Sequence, residues 1–324
     1  MKLLVLGGTK FLGRAVVETA LERGHEVTLF NRGETNPDLF PEAEKLRGDR
    51  EGGLSGLEGR SWDAVVDPSG YVPHVVRASA ELLAGSVGCY LFVSSISVYA
   101  DVSRGPSEES SLEPLGDRPL DRLADDRSNY GPLKALCEDA VRDVFREEAL
   151  VVRPGLIVGP HDPTGRFTYW PHRIARGGEV IVPEPADRRI QFVDVRDLGA
   201  WLVDLCERTQ AGTFNATHPG LPWGELVETC REVAGSDARF TWVPDEFLVE
   251  QGVGEWMELP LWIQDPEWAG THSTDVSRAV AAGLRFRPLA ETVRGTLEEA
   301  QLTEEAGLST DRERELLEAW GTRT

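Results

Sequence analysis

Tyr130 and Lys134 stand four positions apart in the segment YGPLK, a spacing that suits proton transfer. The segment opens a stretch with helical apolar spacing that continues through Phe145, so the two side chains share one helix face. A free phenol has a pKa of about 10 and is a poor base at neutral pH. A neighbouring ammonium stabilises the phenolate and lowers that pKa. The sequence contains only four lysines, so a chance pairing is improbable and the pair predicts acid–base chemistry.

Serine hydroxyls at the end of a predicted strand are the second candidate group. The strand CYLFVSS runs into Ser94 and Ser95, and Ser97 follows. A hydroxyl at the end of a strand beside the tyrosine-bearing helix can hold a substrate oxygen while the tyrosine moves its proton. The serines and Tyr130 together predict a site that acts on a substrate oxygen.

The start of the chain has the pattern of a dinucleotide-binding βαβ unit. Lys2–Leu6 is an apolar run of strand length, and the glycine turn GGTKFLG (7–13) follows it. Apolar residues at helical spacing come next in 14–23, and a second predicted strand covers Glu26–Phe30. Glycines let the backbone approach a pyrophosphate, and the helix N-terminus offers free N–H groups to it. The pattern predicts a bound nucleotide cofactor.

The elements that must position these residues alternate between strand-like and helical stretches. Further apolar runs of strand length occupy Ala64–Asp67, Tyr90–Ser94 and Ala149–Val152. This alternation predicts an α/β fold of the Rossmann type, a doubly wound parallel sheet with helices on both faces. We predict a dinucleotide-binding domain from 1–160 plus 188–215, and a smaller, mainly C-terminal substrate-binding domain from 161–187 plus 216–324. In QFVDVRDLGAWLVDLCER (191–208) we predict a strand and a helix capped by Asp197.

The acidic stretch 101–129 is rich in serine and proline and lies between a strand end and a helix. A loop of this length inside a compact domain is either a lid over a site or disordered. The sequence leaves both alternatives open.

Composition excludes several classes of function. The chain has 324 residues, a formal net charge of −21 and a pI of about 4.7, which argue against a nucleic-acid partner or an anionic membrane surface. Four widely spaced cysteines without a CxxC pair predict buried reduced thiols in a cytoplasmic protein. The histidines have no metal-ligand spacing, so we predict no metal site.

Five motifs give the chain a resemblance to a known family over nearly its whole length: GGTKFLG, SSISVY, YGPLK, RPGLIVGP (153–160), and QFVDVRDL followed by TFNAT (213–217). It resembles the extended short-chain dehydrogenase/reductases, specifically the NAD-dependent epimerase/dehydratase group. Within that group it is similar to atypical members that include isoflavone-reductase-like and plastid RNA-binding proteins.

The resemblance implies a set of site residues. Ser95, Tyr130 and Lys134 would be the catalytic residues, with Tyr130 as acid/base and Lys134 also holding the nicotinamide ribose. The residues implied to contact the cofactor are Gly7, Thr9, Lys10, Phe11, Leu12, Gly13, Asn31, Arg32, Asp49, Ser69, Gly70, Pro154, Leu156 and Ile157. Members often dimerise through two helices per subunit, here 73–84 and 131–147, so a homodimer is expected.

Three departures from the family pattern change what is expected. Lys10 replaces the middle glycine of the turn and could reach a phosphate. Arg32 follows Asn31 where an acidic residue usually binds the ribose 2′-OH, and an arginine suits a 2′-phosphate, so NADP is favoured while NAD stays possible. Ile96 and Ser97 occupy the places where sugar dehydratases carry acids, which makes dehydration the least expected reaction.

The segment HDPTGRFTYWPHRIAR (161–176) is predicted to lie over the site. Arg166 and Arg173 could contact an anionic substrate, and Phe167 and Trp170 could pack on a substrate ring. The alternative, equally open from sequence, is that these aromatic residues join the small domain to the large one. Ile190 stands where nucleotide-sugar epimerases commonly place an arginine, which argues against a nucleotide sugar.

The leading hypothesis is an NAD(P)-dependent oxidoreductase or epimerase that acts on a secondary alcohol or ketone through Ser95, Tyr130 and Lys134. Its partners would be a small-molecule substrate and the cofactor. The alternatives are a nucleotide-sugar epimerase, a non-catalytic NADP-binding sensor, and an RNA-binding relative of the plastid proteins. The intact Ser–Tyr–Lys set argues against the sensor, and the net charge argues against RNA.

Overall fold

A seven-stranded parallel sheet organises the fold in a computed structural model that describes residues 1–125, 127–303 and 306–323. In chain order the strands are β1 (Lys2–Leu6), β2 (Glu26–Asn31), β3 (Glu44–Arg47), β4 (Trp62–Asp67), β5 (Val87–Val93), β6 (Leu150–Pro154), β7 (Ile157–Val158), β8 (Glu179–Pro183), β9 (Arg189–Ile190), β10 (Val193–Asp194), β11 (Gly212–Ala216), β12 (Leu221–Pro222) and β13 (Arg239–Val243). The strand order in the seven-stranded sheet is β11–β6–β5–β4–β1–β2–β3, and every neighbouring pair in it is parallel.

Helices cover both faces of this sheet, so the side chains on both faces of β1 are buried. Alternate side chains of a strand point to opposite faces, so Leu3 and Val5 pack with α1 and α5, whereas Leu4 and Leu6 join the core under α2 and α3. The helices are α1 (Phe11–Glu22), α2 (Pro73–Leu83), α3 (Tyr130–Phe145), α4 (Tyr169–Ala175), α5 (Val195–Glu207), α6 (Trp223–Ala234), α7 (Asp245–Glu250), α8 (Ser277–Ala281), α9 (Leu289–Glu299) and α10 (Thr310–Gly321).

A second apolar core lies in the later part of the chain, among α4, α6, α10 and the two-stranded β8–β13 sheet. Its largest members are the fully buried Trp170, Trp223 and Trp262, and the first two rings meet edge to face with centroids 5.4 Å apart. The predicted fold class is therefore confirmed: a doubly wound parallel sheet with a smaller, mainly C-terminal part. The exact boundaries of the two domains stay a prediction, and residues 304, 305 and 324 of the second lie outside the described chain.

One strand was missing from the predicted apolar runs, and one predicted helix cap was wrong. Strand β3 went unpredicted from composition, because EKLR is a polar strand at the sheet edge without an apolar run. The cap of α5 is Asp194 and not Asp197: the Asp194 carboxylate accepts the Arg196 N–H at 2.9 Å. Asp197 lies in the first turn and accepts the Arg287 N–H instead.

The acidic segment 101–129 is packed against the rest of the protein over its described residues, with Asp126 lying outside them. Leu112 forms a β-bridge with Tyr99. The Glu108 carboxylate accepts the Asn215 N–H at 2.8 Å, which ties the segment to β11. At its end, the buried Asn129 amide donates to the carbonyls of Pro119 and Arg122. These contacts tie the described part of the segment to Tyr99 and β11, and a role as a lid stays a prediction.

The predicted dimer helices, α2 and α3, lie side by side on one face of the sheet. Arg77 of α2 pairs with Asp143 of α3 at 2.5 Å across their exposed surface. The homodimer stays a prediction. Within the described ranges, no helix has both the length and the apolar character that a bilayer crossing requires.

Candidate functional site

The hydroxyls of Ser95 and Tyr130 meet at the carboxyl edge of the sheet. Ser95 follows β5 and caps the short 3₁₀ helix Ile96–Val98, where its Oγ accepts the Ser97 N–H at 3.1 Å. Tyr130 is the first residue of α3, and the Ser95 hydroxyl lowers the pKa of its phenol. Gly131 permits the approach, because a Cβ at this position would collide with the Ser97 carbonyl. The local folding of β5 and α3 thus brings the predicted pair together.

Tyr130 is a protonated phenol at neutral pH in this environment. Burial raises its pKa to about 12, and the neighbouring Tyr71, whose ring centroid is 6.1 Å away, adds to the rise. The Ser95 hydroxyl and the guanidinium groups of Arg166 and Arg127 oppose it. The phenol is therefore a proton donor at rest, and any proton acceptance needs its prior ionisation.

Lys134 is placed differently from the sequence hypothesis. Its ammonium is buried and donates to the carbonyls of Gly70 at 2.7 Å and Val93 at 2.6 Å, above the Phe92 ring at 4.2 Å. Burial lowers its pKa to about 8. Its role beside Tyr130 and the nicotinamide ribose stays a prediction. Lys134 joins the ends of β4 and β5 to α3.

The glycine turn leaves room for a ligand beside the start of α1. Gly7 and Gly8 have left-handed φ values of 121° and 91°, and a Cβ on Gly13 would lie 3.0 Å from the Gly8 nitrogen. Lys10 directly precedes α1 and makes no side-chain cap to the helix N–H groups, and the first turn of the helix contains no acidic residue. This open, positive helix end fits the pyrophosphate of a dinucleotide. Thr9 and Leu12 are buried, whereas Lys10 is exposed, and Phe11 begins the helix with φ 43°.

Two arginines and one anchoring amide lie where the neighbouring strands β2 and β3 end. Asn31 donates to the Gly7 carbonyl at 2.7 Å and accepts from Gly33 N–H at 3.0 Å and from Arg47. Arg47, the last residue of β3, also donates to the Pro37 carbonyl at 3.3 Å. Arg32 is exposed and pairs with Glu34 at 2.9 Å. Arg47 was missed by the sequence hypothesis; its signal was a basic residue directly before the Gly48–Asp49 turn.

The other predicted cofactor residues occupy the same edge, except one. The Ser69 hydroxyl donates to the Leu6 carbonyl at 2.9 Å, which joins β4 to β1. Asp49 lies on an exposed turn and accepts the Glu51 N–H. Pro154 ends β6, and Ile157 begins β7. Leu156 is buried in the second apolar core, which argues against a cofactor contact for its side chain.

A buried ion pair holds the base of the site and was not predicted. The Arg153 guanidinium donates to both oxygens of Glu138, at 2.8 and 2.6 Å, and also to the Tyr99 hydroxyl at 2.9 Å. Tyr99 in turn donates to Asn215 at 2.6 Å. Burial opposes the ionised Glu138, but the hydrogen bonds and charge of Arg153, together with Ser94 and Arg142, outweigh it and lower the pKa of that carboxyl. The network joins α3 to β6 and β11; its sequence signal was an arginine inside a buried strand.

The predicted substrate residues separate into two groups. Phe167 and Trp170 have no exposed surface, and the Trp170 N–H donates to the Pro260 carbonyl at 2.8 Å. Arg173 is buried and bonded to Glu313 at 2.5 Å and to two carbonyls. Phe167 and Trp170 belong to the second core, and Arg173 is engaged within the protein. Their burial argues against substrate contact, but the assignment stays a prediction. Arg166 alone of the set faces the Tyr130 region.

The place of the expected nucleotide-sugar arginine is filled by an apolar side chain. Ile190 is fully buried. Its neighbour Arg189 donates to the Gly220 carbonyl, and Arg188 pairs with Asp245 at 2.7 Å. Both arginines are thus already engaged within the protein.

Comparisons with known proteins agree with this geometry. A chloroplast stem-loop binding protein of 41 kDa (form b) from Arabidopsis thaliana is 25% identical over 256 residues, which cover 72% of this chain and 63% of that protein. UDP-glucuronic acid 4-epimerase from Bacillus cereus, solved in complex with NAD, is similar in structure with a TM-score of 0.64 and 15% identity, over 93% of this chain and all of that one. The human epimerase family protein SDR39U1, solved with NADPH, is similar with a TM-score of 0.58 and 20% identity, over 92% and 99%.

The family profile covers the whole of the edge described above. The model of the family described as "NAD dependent epimerase/dehydratase family" matches residues 3–216, which include the glycine turn, Ser95, Tyr130 and Lys134. The similar structures bind NAD or NADPH, and the uncapped end of α1 fits such a cofactor. The chain therefore belongs to the NAD-dependent epimerase/dehydratase family, whose members are nicotinamide-dependent enzymes of the short-chain dehydrogenase/reductase type.

Proposed function

We propose that the protein interconverts a secondary alcohol and a ketone, as a net oxidoreductase or as an epimerase. The observation that carries the proposal is the close approach of the start of α3, which bears Tyr130, to the Ser95–Ser97 turn at the edge where the uncapped helix α1 begins. Tyr130 holds the proton for the substrate oxygen, and the Ser95 hydroxyl fixes that oxygen in place. A nicotinamide cofactor, when bound, would supply or accept the hydride.

Lys134 has a positioning role in this proposal. Its two carbonyl bonds fix the Gly70 turn and the end of β5, and these lie between the glycine turn and Ser95. Gly7, Gly13, Asn31 and Ser69 would form the remaining dinucleotide contacts.

NADP is the cofactor that the charges favour. No acidic residue ends β2, and Arg32 and Arg47 lie there instead. An arginine at this place accommodates a 2′-phosphate, whereas an acid would hydrogen-bond the 2′-OH of NAD. The exposed Glu34 competes for Arg32, so the preference is expected to be moderate.

Nucleotide-sugar epimerisation is the second candidate, supported by the fold-level similarity to the UDP-glucuronic acid epimerase. Against it stand the buried Ile190 and the engaged Arg188 and Arg189. Dehydration is not proposed, because Ile96 and Ser97 supply no acid beside Ser95.

The experiment is a screen of ketones and UDP-sugars with NADPH and NADH, followed by absorbance of the reduced cofactor and by product analysis. Tyr130→Phe should lower turnover at least about a hundredfold, the usual contribution of a general acid, and leave cofactor affinity unchanged. Tyr71→Phe is the matched control, since it removes a neighbouring hydroxyl that is given no catalytic role. Comparable losses in both variants, or none in Tyr130→Phe, would overturn the assignment.

A further inference from the structure

We infer that Asn129 is a positioning residue for Tyr130, and that through it residues 119–124 hold the first turn of α3 in place beside the Ser95–Ser97 turn. This role rests on the proposed function, in which Tyr130 moves the proton. Asn129 is fully buried and directly precedes α3, so it joins the acidic segment to the helix that carries the reacting phenol.

The Asn129 side chain is engaged on both of its polar atoms, but not by the helix that it precedes. Its amide nitrogen donates to the carbonyls of Pro119 at 2.7 Å and Arg122 at 2.9 Å, and its oxygen accepts the Ala124 N–H at 2.8 Å. Asparagine is among the residues that cap a helix N-terminus best. Here the side chain makes no cap bond to α3, because the backbone has φ −100° and ψ 7° and not the extended conformation of a capping residue. The side chain therefore fixes the preceding segment to the start of the helix.

The backbone continues this anchorage into α3. The Asn129 carbonyl accepts the Leu133 N–H at 2.9 Å, which is the first hydrogen bond of the helix, and the Tyr130 N–H donates to the Arg127 carbonyl at 3.0 Å. The anchored side chain and the first helical carbonyl belong to one residue. A displacement of residues 119–124 would therefore move the start of α3, and Tyr130 with it.

The residue after Tyr130 is fixed from the opposite side. A Cβ on Gly131 would collide with the Ser97 carbonyl, so the helix start lies directly against the turn that contains Ser95. Tyr130 is thus held between Asn129 on the side of the acidic segment and Gly131 on the side of the sheet. Such precision matters because a displacement of about 1 Å can cost a catalytic group about a hundredfold in rate.

The segment that Asn129 holds is otherwise tied to itself. Arg118 donates to the carbonyls of Leu115 at 2.7 Å and Ser128 at 2.9 Å, and it pairs with Glu113 at 2.6 Å. Within the ranges that the structure describes, no hydrogen bond or ion pair joins residues 114–125 to any residue outside 113–129. The Asn129 amide is therefore the connection through which this segment acts on Tyr130.

The first test needs no substrate. Asn129→Asp keeps the shape of the side chain and the acceptor for the Ala124 N–H, but it loses both donors. The full chain is labelled with 3-fluorotyrosine, whose ¹⁹F signals report on the five tyrosines, and Tyr130→Phe assigns the signal of Tyr130. We expect Asn129→Asp to shift or broaden the Tyr130 signal and to leave those of Tyr90 and Tyr169 unchanged, because these two rings are buried in the separate cores.

The second test is kinetic and uses the substrate that the ketone and UDP-sugar screen yields. Asn129→Asp should lower kcat at least about tenfold and change KM less than about twofold, because it displaces the proton donor and touches no binding group. In the Tyr130→Phe background it should cause no further loss, since the group that it positions is already absent. A residue that only stabilises the fold would lower the activity of both backgrounds alike.

Gln191→Glu is the matched control. Gln191 is also a buried amide; it donates to the Thr274 carbonyl at 3.1 Å and accepts the Thr274 N–H at 2.9 Å. The change to glutamate likewise keeps the shape and removes the donor, and it should leave the Tyr130 signal unchanged. Thermal midpoints establish that each variant folds, and Asn129→Ala, which adds no charge, carries the test if Asn129→Asp does not fold.

An unmoved Tyr130 signal in a folded Asn129 variant would overturn the inference, as would a Gln191→Glu variant that moves this signal equally. A loss of activity in the Tyr130→Phe background as large as that in the wild type would also overturn it. Failure of the proposed function has a different signature, namely normal turnover in Tyr130→Phe. The ¹⁹F signal then still decides whether Asn129 positions Tyr130.

Discussion

Cofactor choice tests the charge arrangement at the end of β2. Arg32 is paired with Glu34, but the two side chains are 61% and 64% exposed, so their mutual attraction is weak and an arriving phosphate can displace the carboxylate. Arg47 is held in place by Asn31 and Pro37 and keeps further donors available. We assign about 1 kcal/mol to each arginine against an exposed 2′-phosphate. Together they predict that NADPH binds about thirtyfold more tightly than NADH.

The variants follow from the same estimate. Arg32→Gln and Arg47→Gln should each weaken NADPH about fivefold, and the double variant should bind both cofactors equally. Glu34→Gln removes the competing carboxylate and should strengthen NADPH about twofold, with NADH unchanged. Asn31→Ala is the control for the anchor: because Asn31 bonds the Gly7 carbonyl, its loss should weaken both cofactors alike.

The assay is calorimetric titration of each variant with NADPH and NADH at low and high salt. The preference should shrink as salt rises, because the charges involved are exposed. NADH binding that equals or exceeds NADPH binding in the wild type would refute the reasoning. So would a preference that survives in the Arg32→Gln, Arg47→Gln double variant.

Three further predictions concern stability and pH. Between pH 8 and 9.5 the unfolding free energy of the wild type should rise by about 2 kcal/mol relative to Lys134→Met, because folded Lys134 has a pKa of about 8 and releases a proton that the unfolded chain, at 10.5, keeps. Glu138→Gln should cost about 3–5 kcal/mol in urea unfolding, because it leaves the buried Arg153 charge unpaired. Alcohol oxidation should accelerate with pH throughout the range below about 12 while ketone reduction at neutral pH stays flat, because Tyr130 must lose its proton before it can accept one.

Controls and contrary outcomes for these predictions are specific. Glu148→Gln, at an exposed carboxylate just beyond α3, should cost less than about 0.5 kcal/mol, and an equal loss would deny the special role of Glu138. Identical pH dependence of stability in wild type and Lys134→Met would mean that Lys134 does not titrate near pH 8. A flat oxidation profile would mean that a group other than Tyr130 takes the proton.

Local signals made part of the site predictable. The glycine turn and α1 follow from adjacent residues, because the conformations of Gly7 and Gly8 and the helical spacing are local properties. Helix α3 was predicted with its observed ends, Tyr130 and Phe145, from the same periodicity. The position of Ser95 beside Tyr130 needed only the rule that parallel strands end at one edge of the sheet.

The remainder depended on contacts between distant residues. The carbonyls that accept hydrogen bonds from Lys134 belong to Gly70 and Val93, which lie 64 and 41 positions away in the sequence. Helical spacing indicates only local neighbours such as Tyr130, so it could not predict these partners. The aromatic residues at 167–170 are typical both of a substrate-binding cleft and of a packed core. Hydrophobic character alone does not show whether a side chain faces a ligand or the protein interior. Strand β3 has mostly polar side chains, so hydrophobic patterning did not predict it, and Arg47 at its end was missed for the same reason.

The charges around Tyr130 suggest how the protonated resting state serves the proposed reaction. With a pKa of about 12 the phenol keeps its proton at neutral pH and can give it to an oxygen that gains negative charge. The charges of Arg166 and Arg127 lower the pKa of Tyr130, and so they favour the phenolate that remains after the proton has been given away.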